Sequence, residues 1–196
     1  MISETFLKRL AAQGDVSYSL YESPVGSLYL LGTDSSLHAI VFKNEHSKRA
    51  GMEKLFQQGA PTEVGASALF LDAYFNAGRS IAVENFNLKA GVKKSVIRID
   101  FNRHACRLDL SGFTRKEIAV YGELLKVPPG KTISYQRLAE KAGIPSGGRF
   151  VGNAMAKNMF PIIIPCHRVV LASGAIGNYS GGIGIKKFLL GHEGSA

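Results

Sequence analysis

The first part of the chain alternates between apolar and polar positions with the period of a β-strand. Two short runs, Ser17 to Ser23 and Ser27 to Thr33, flank Pro24-Val25-Gly26, and a third extends from Leu37 to Lys43. Runs rich in β-branched and aromatic residues and bounded by turn residues are typical of strands. The pattern therefore predicts a small antiparallel sheet.

A helical period replaces this alternation in the middle of the chain. Apolar residues then recur at intervals of three and four and stop before Gly78, which predicts an amphipathic helix; they are Phe70, Ala73, Tyr74 and Ala77. The two-residue period returns from Ser95 to Leu110 and predicts a half-buried strand or hairpin. Cys106 falls on the apolar side of this segment, which favours a core residue over a reactive thiol.

The pattern becomes helical again after Ser111-Gly112. Thr114 and Glu117 have the spacing of a capping box, and the apolar stripe that follows ends before Pro128-Pro129-Gly130. We therefore predict an α+β protein with an N-terminal α/β domain over residues 1–112. A mostly helical domain follows over residues 113–196.

Two short helices around a glycine-containing turn are predicted within the second domain. Ser134 can cap the first helix, Gly143 can end it, and the second extends from Arg149 to about Asn158. Any two packed helices give this pattern, so plain packing and a DNA-binding helix-turn-helix both remain open. The polar face favours close approach to a phosphate-lined groove, because it is formed by small or polar residues after an arginine: Arg149, Gly152, Asn153 and Ala156.

The overall charge adds a polyanionic partner to this picture. The 196 residues include 24 Lys and Arg against 15 Asp and Glu, a formal net charge of +9. Such an excess attracts phosphates without identifying where they bind. The chain contains no apolar run long enough for a spanning helix, and its first residues lack the pattern of a secretory signal. We expect an intracellular protein, cytoplasmic or associated with the nucleus or nucleoid, that does not bind membranes.

The chemistry centres on Cys166, in the run PIIIPCHRVV. A thiol becomes a strong nucleophile when a neighbouring base favours the thiolate, and His167 is adjacent. In an extended segment these two side chains would point to opposite faces, so a bridging water is the easier geometry. Glu193 is the only carboxylate after Glu140 and can orient the imidazole. From the residues alone, a buried structural cysteine is still favoured.

Other chemistries have weaker support in the sequence. The two cysteines lie sixty residues apart without a partner motif, so neither a disulfide nor a metal site is predicted. The glycine-rich stretch SGAIGNYSGGIG suits a loop close to a planar ligand. A phosphate-binding loop is the alternative, but the stretch lacks the required GK[ST] ending.

Phe113 to Gly194 resembles the C-terminal domain of the O6-alkylguanine-DNA alkyltransferases. The matching pieces, in family order, are ISYQRLA, GRFVGNAMAKN, PIIIPCHRVV, GNYSGG and LLGHEG, and PCHRV is highly specific. The N-terminal half is similar more loosely, through SPVGSLYL, SLHAIVF and FLDAYF. His38 lacks the cysteines that complete the zinc site of some relatives, so neither zinc nor any other cofactor is expected.

The resemblance implies a single-use repair protein. Cys166 would take the alkyl group from O6 of guanine, and O4-alkylthymine is a further candidate substrate. His167 would remove the thiol proton through a water, Glu193 would orient His167, and Asn158 would hold this network. Tyr135 would protonate the departing guanine. The implied substrate-binding residues are Ser180, which would contact the O6 region, with Tyr179, Lys186 and Gly177.

The resemblance also implies a mode of DNA binding. The target base would be rotated out of the duplex, and Arg149 would fill its place in the stack. The protein would act as a monomer on the minor groove of double-stranded DNA, through Arg149, Tyr135, Gln136, Gly152, Asn153 and Ala156. Two other classes remain open: a damage-binding protein that does not repair, which would lack the cysteine, and a cysteine hydrolase that turns over.

Overall fold

A sheet with helices precedes a mostly helical half in the computed structural model, which describes residues 4–44, 51–77, 85–87, 96–101 and 104–195. The strands are β1 (Ser17–Ser23), β2 (Gly26–Gly32), β3 (Leu37–Phe42), β4 (Gln57–Gln58), β5 (Asn85–Asn87), β6 (Val96–Phe101), β7 (His104–Asp109), β8 (Ile133–Ser134) and β9 (Val169–Val170). The helices are α1 (Glu4–Ala11), α2 (Met52–Leu55), α3 (Thr62–Ala77), α4 (Arg115–Leu125), α5 (Tyr135–Lys141), α6 (Gly148–Lys157) and α7 (Ile183–His192), with a 3-10 turn at Cys166–Arg168.

The N-terminal sheet has the order β4-β1-β2-β3-β7-β6-β5. The three predicted strands are confirmed to within a residue or two at each end, and β1, β2 and β3 pair antiparallel. The predicted hairpin is also confirmed as β6 and β7, which join the same sheet. The sheet is larger than predicted and mixed, because β3 meets β7 in parallel through Leu37 and Leu108, and β1 meets β4 in parallel.

Helices cover both faces of this sheet. Leu28 and Leu30 of β2 point towards α3 and the C-terminal half, whereas Tyr29 and Leu31 point towards α1 and α2. This double coverage explains why β2 is buried at consecutive positions instead of alternate ones. Helix α1 was not predicted, although Leu7 and Leu10 have helical spacing and are buried.

The predicted helix before Gly78 is confirmed, but it begins at Thr62, eight residues before Phe70. Gly78, Ser95 and the lysines at 89, 93 and 94 lie outside the described residues. Cys106 is fully buried in the hairpin, and burial raises the pKa of its thiol, as expected of a core residue.

The C-terminal half forms the predicted capping box and helix-turn-helix. Thr114 and Glu117 satisfy each other's backbone N–H groups at the start of α4. Ser134 Oγ accepts a hydrogen bond from Arg137 N at the start of α5, and Gly143 ends that helix with a left-handed φ of 71°. A Cβ atom at Gly147 would lie 2.7 Å from Ile144 O, so the tight turn into α6 requires glycine there.

The two halves share one hydrophobic core. The largest buried cluster combines residues of the sheet and α3 with residues of α4, α5, α6 and the segment around Cys166. Phe42 of β3, for example, packs edge-on against Tyr179, with ring centroids 6.1 Å apart. Among the described helices, none has both the length and the apolar character needed to cross a membrane.

Candidate active site

The segment that carries Cys166 is turned, not extended as we expected. Ile164 N donates to Phe160 O at 2.8 Å, and Arg168 N donates to Pro165 O at 2.9 Å. Pro165 sets the start of a 3-10 turn in which Cys166 and His167 point about 120° apart. The two side chains still face different directions, so a bridging water remains the easier geometry between Cys166 and His167. Residues 161–170 are all buried.

Cys166 lines a cavity between α5, α6 and the glycine-rich loop of residues 171–182. The cavity has a volume of about 430 Å³, a size typical of small-molecule pockets. Only 4% of the Cys166 residue surface is exposed. The cavity is lined by Tyr135, Gly152, Met155, Ala156, Cys166, Leu171, Gly177, Asn178, Tyr179 and Ser180.

The thiol is held by Asn158. Asn158 Nδ2 lies 3.1 Å from Cys166 Sγ and 2.9 Å from Ile164 O, while its Oδ1 accepts from Phe160 N at 2.9 Å. Burial raises the pKa of the Cys166 thiol, and the Asn158 hydrogen bond, the nearby Tyr179 hydroxyl and the Lys186 charge oppose this rise. The net direction favours the protonated thiol at neutral pH, so a reaction at sulfur needs a base.

His167 has the properties of such a base. Burial lowers the pKa of its imidazole, with Glu193 opposing the shift, so the ring is neutral at pH 7. Nε2 lies 2.7 Å from Glu193 Oε1, which fixes the proton on Nε2. Nδ1 is buried and has no hydrogen-bond partner among the described residues. This nitrogen is therefore the one left to accept a proton.

Glu193 is fixed by donors that the sequence reasoning did not find. Arg168 Nε and Nη2 donate to its two oxygens at 2.9 Å each, and Arg168 Nη1 also donates to Val127 O. Tyr74 Oη, on α3 in the N-terminal half, donates to Glu193 Oε1 at 2.8 Å. Burial alone would raise the pKa of Glu193, but the hydrogen bonds from His167 and Arg168 outweigh it and lower the pKa to about 2.

The proposed acid Tyr135 and the predicted substrate-binding residues fall into two groups by position. Tyr135, Gly177, Tyr179 and Ser180 all line the cavity with Cys166. A Cβ atom at Gly177 would lie only 3.0 Å from Tyr135 Oη, so the glycine leaves room for that hydroxyl. Lys186 lies outside the lining. It is fully buried and donates from Nζ to Val169 O at 2.6 Å, behind the segment that carries the thiol.

The predicted DNA-contacting residues lie on one exposed side of the helix-turn-helix. Arg149, Asn153 and Ala156 are exposed on α6, and Gln136 is exposed on α5. Gly152 and Ala156 also line the cavity, so this face borders the mouth that leads to Cys166. A Cβ atom at Gly152 would meet nothing within 4 Å, so packing inside the protein does not require this glycine.

Across the described ranges, no group of three or more His, Cys, Asp or Glu side chains could hold a metal ion. His38 Nδ1 lies 3.3 Å from Asp109 Oδ2, and both side chains are largely buried. These two residues form a pair and not a metal-ligand set.

A helix-turn-helix beside a cavity lined by a buried, hydrogen-bonded thiol is the architecture of a DNA-acting cysteine protein. Family models agree with this class. The model described as "6-O-methylguanine DNA methyltransferase, DNA binding domain" matches residues 115–195. The model described as "6-O-methylguanine DNA methyltransferase, ribonuclease-like domain" matches residues 16–88.

Individual relatives give the same result. The human methylated-DNA–protein-cysteine methyltransferase is 39% identical over 178 residues, which cover 88% of this chain and 78% of the human protein. A crystal structure of Mycobacterium tuberculosis OGT in complex with DNA matches with a TM-score of 0.66 and 32% identity, covering 91% of this chain and 93% of that one. The O6-methylguanine-DNA methyltransferase of Pyrococcus kodakaraensis matches with a TM-score of 0.56 and 26% identity, covering 91% and 99%. The chain therefore belongs to the methylated-DNA–protein-cysteine methyltransferase family.

Proposed function

We propose that the protein repairs DNA by moving the alkyl group of O6-alkylguanine to Cys166 in one step that consumes the protein. The observation that carries the proposal is the thiol itself. Cys166 Sγ lines a cavity that opens beside the helix-turn-helix, and it lies next to a buried His167–Glu193 pair. The names of the relatives and the DNA complex of one of them support this substrate class.

The proposed transfer balances as a single displacement. Sulfur forms a bond to the alkyl carbon while the bond between that carbon and O6 of guanine breaks. The thiol proton passes through a water to His167 Nδ1, and Glu193 stabilises the resulting imidazolium through Nε2. The electron pair of the broken bond leaves with the guanine. The product is a thioether, which this machinery has no group to cleave, so each molecule acts once.

Tyr135 is the proposed acid for the departing guanine. Burial and the neighbouring Cys166 charge raise the pKa of its hydroxyl, so Tyr135 keeps its proton until the leaving group becomes basic. Ser180 and Tyr179 line the same cavity and would bind the base, while Gly177 keeps space open beside the Tyr135 hydroxyl. Lys186 lies behind the segment that carries Cys166, and its positive charge would stabilise the thiolate.

The proposed DNA contact is the exposed face of α6. The base must leave the stack to reach Cys166, and Arg149 would occupy the vacated position from the start of α6. The open space at Gly152 and the small side chain of Ala156 allow a minor-groove backbone to approach closely. Asn153 and Gln136 would make further polar contacts. We propose that a single copy acts, in the compartment that contains the DNA.

The test is the mass of the intact chain after mixing with a duplex that contains O6-methylguanine. We expect the gain of one methyl group, stoichiometric with the protein, in the wild type but not in Cys166→Ala. The second cysteine provides the matched control, because Cys106 is fully buried and should not react; Cys106→Ala should gain the methyl group like the wild type. Absence of the gain, or a gain that survives Cys166→Ala, contradicts the proposal.

The same experiment distinguishes the proposed function from a cysteine hydrolase and from a damage-binding protein that does not repair. A cysteine hydrolase would release product repeatedly and leave no stable mass increase. A damage-binding protein would retain the duplex without any change in mass. Repeating the measurement with ethyl and benzyl groups and with O4-methylthymine gives the substrate range.

A further inference from the structure

We infer that Tyr74, in the N-terminal half, is a positioning residue for the alkyl-transfer site in the C-terminal half. This inference rests on the proposed function. Its basis is the hydrogen bond from Tyr74 Oη to Glu193 Oε1, 2.8 Å long, between residues 119 positions apart.

The contact is buried and shared with the proposed base. Tyr74 is 5% exposed and Glu193 is 2% exposed, so water does not compete for the carboxylate. Glu193 Oε1 accepts from three donors: Tyr74 Oη, His167 Nε2 and Arg168 Nη2. The Tyr74 ring also stands edge-on to the His167 ring, with centroids 6.3 Å apart. Tyr74 therefore helps to set both the position and the hydrogen-bonding strength of the oxygen that orients the base.

Removing one of three donors changes the other two bonds in a definite direction. Without the Tyr74 hydroxyl, Oε1 carries more negative charge towards His167 and stabilises the imidazolium more strongly. Within the part of the chain that the structure describes, the charged or titratable groups around His167 are Glu193, Arg168, Lys186, the neighbouring Cys166 and Tyr74 itself. The Tyr74→Phe variant changes only the last of these. Neutral His167 is then available only at higher pH, and the carboxylate has lost one of its anchors.

The experiment compares single-turnover alkyl transfer by the full chain in wild type and Tyr74→Phe, as a function of pH. We expect a rate that is roughly three- to ten-fold lower at the plateau, a small part of the ~10²–10⁴-fold that a positioned base supplies. We also expect the acidic limb of the profile to move to higher pH. A loss of stability alone would move this limb only together with the fraction of folded protein, which circular dichroism over the same pH range measures.

Tyr21→Phe is the matched control. Tyr21 Oη donates to Asp72 Oδ1, also at 2.8 Å, and Asp72 lies on the same helix as Tyr74. This variant removes a tyrosine–carboxylate bond of the same length to α3, exposed to solvent and without contact to Glu193, so its pH profile should match the wild type. In the Glu193→Ala background, which leaves no side-chain oxygen for Tyr74 Oη to donate to, Tyr74→Phe should have no further effect on rate.

The outcomes distinguish a failure of the proposed function from a failure of the role assigned to Tyr74. If the wild type gains no alkyl group, the proposed function fails. If the wild type reacts and Tyr74→Phe has the wild-type rate and profile, or if its effect persists in Glu193→Ala, the inference fails. Should Tyr74→Phe not fold, NMR of the wild-type chain provides the test. The Tyr74 hydroxyl proton should be protected from exchange and close to the His167 Nε2 proton, and a rapidly exchanging hydroxyl overturns the inference.

Discussion

Replacing Glu193 by glutamine should destabilise the fold as well as slow the reaction. The carboxylate is the buried counter-ion of Arg168, whose side chain is 7% exposed. Breaking a buried ion pair by removing one partner costs roughly 3–5 kcal/mol. A second route gives a similar size: a carboxyl pKa lowered from 4.5 to about 2 corresponds to about 3 kcal/mol at pH 7.

The contribution of Glu193 to the free energy of unfolding should decrease as the pH falls. Because the folded pKa is depressed, the Glu193 contribution is fully present above about pH 4.5 and is lost as the pH falls towards 2. Urea unfolding of wild type and Glu193→Gln should therefore differ by about 3 kcal/mol at pH 7. The difference should shrink to roughly half near pH 3. A difference below about 1 kcal/mol at pH 7, or one that does not shrink on acidification, would refute the reasoning.

Glu117→Gln is the matched control for this measurement. Glu117 is also buried and also ion-paired, but its partner Lys157 is 62% exposed and can return to water. Its loss of stability should be smaller, roughly 1–2 kcal/mol. Transfer from free O6-benzylguanine should continue at the wild-type rate in Glu117→Gln and should slow in Glu193→Gln.

Three further predictions concern the cavity and the DNA-facing helix. Arg149→Ala should slow repair of a duplex far more than reaction with free O6-benzylguanine, and equal slowing of both would remove its role in base extrusion. Gly177→Ala should slow single-turnover transfer roughly ten-fold, about 1.4 kcal/mol, because the new Cβ lies 3.0 Å from Tyr135 Oη; Gly184→Ala, which meets nothing within 4 Å, should not. Gly152→Ala should raise the free energy of unfolding by about 1 kcal/mol. Gly152→Leu should weaken duplex binding in a titration, and unchanged binding by this variant would contradict the close approach of the DNA backbone to α6.

Strands, turns and helix caps could be predicted, because each depends on residues that are close together in the sequence. The strand bounds followed from alternation and turn residues, and the capping box at Thr114 and Glu117 followed from a spacing of three. The sheet order did not follow, because β3 meets β7 through one residue pair across about seventy positions of chain. Periodicity within a strand carries no information about such a long-range partner.

Some residues of the site could be predicted from the sequence and others could not. His167 and Glu193 could be paired from the sequence because Glu193 is the only carboxylate available after Glu140. Tyr74 could not be added, since its position has the spacing of an ordinary core residue on the apolar face of α3. Arg168 follows Cys166 and His167 in the chain, and nothing in the sequence links it to Glu193. Its bidentate contact with Glu193 depends on the 3-10 turn, which a segment read as extended does not provide.

The core that passes without a break between the two halves makes this chain a candidate for a split protein. Ser111 and Gly112 are exposed in the turn between β7 and α4, so a cut there would remove little packing of its own. Each fragment, however, would expose the apolar surface that the other half covers, and the Tyr74–Glu193 bond would form only on reassembly. Under the proposed function, labelling of Cys166 by a benzylguanine dye would then report, irreversibly, that two proteins fused to the fragments had met.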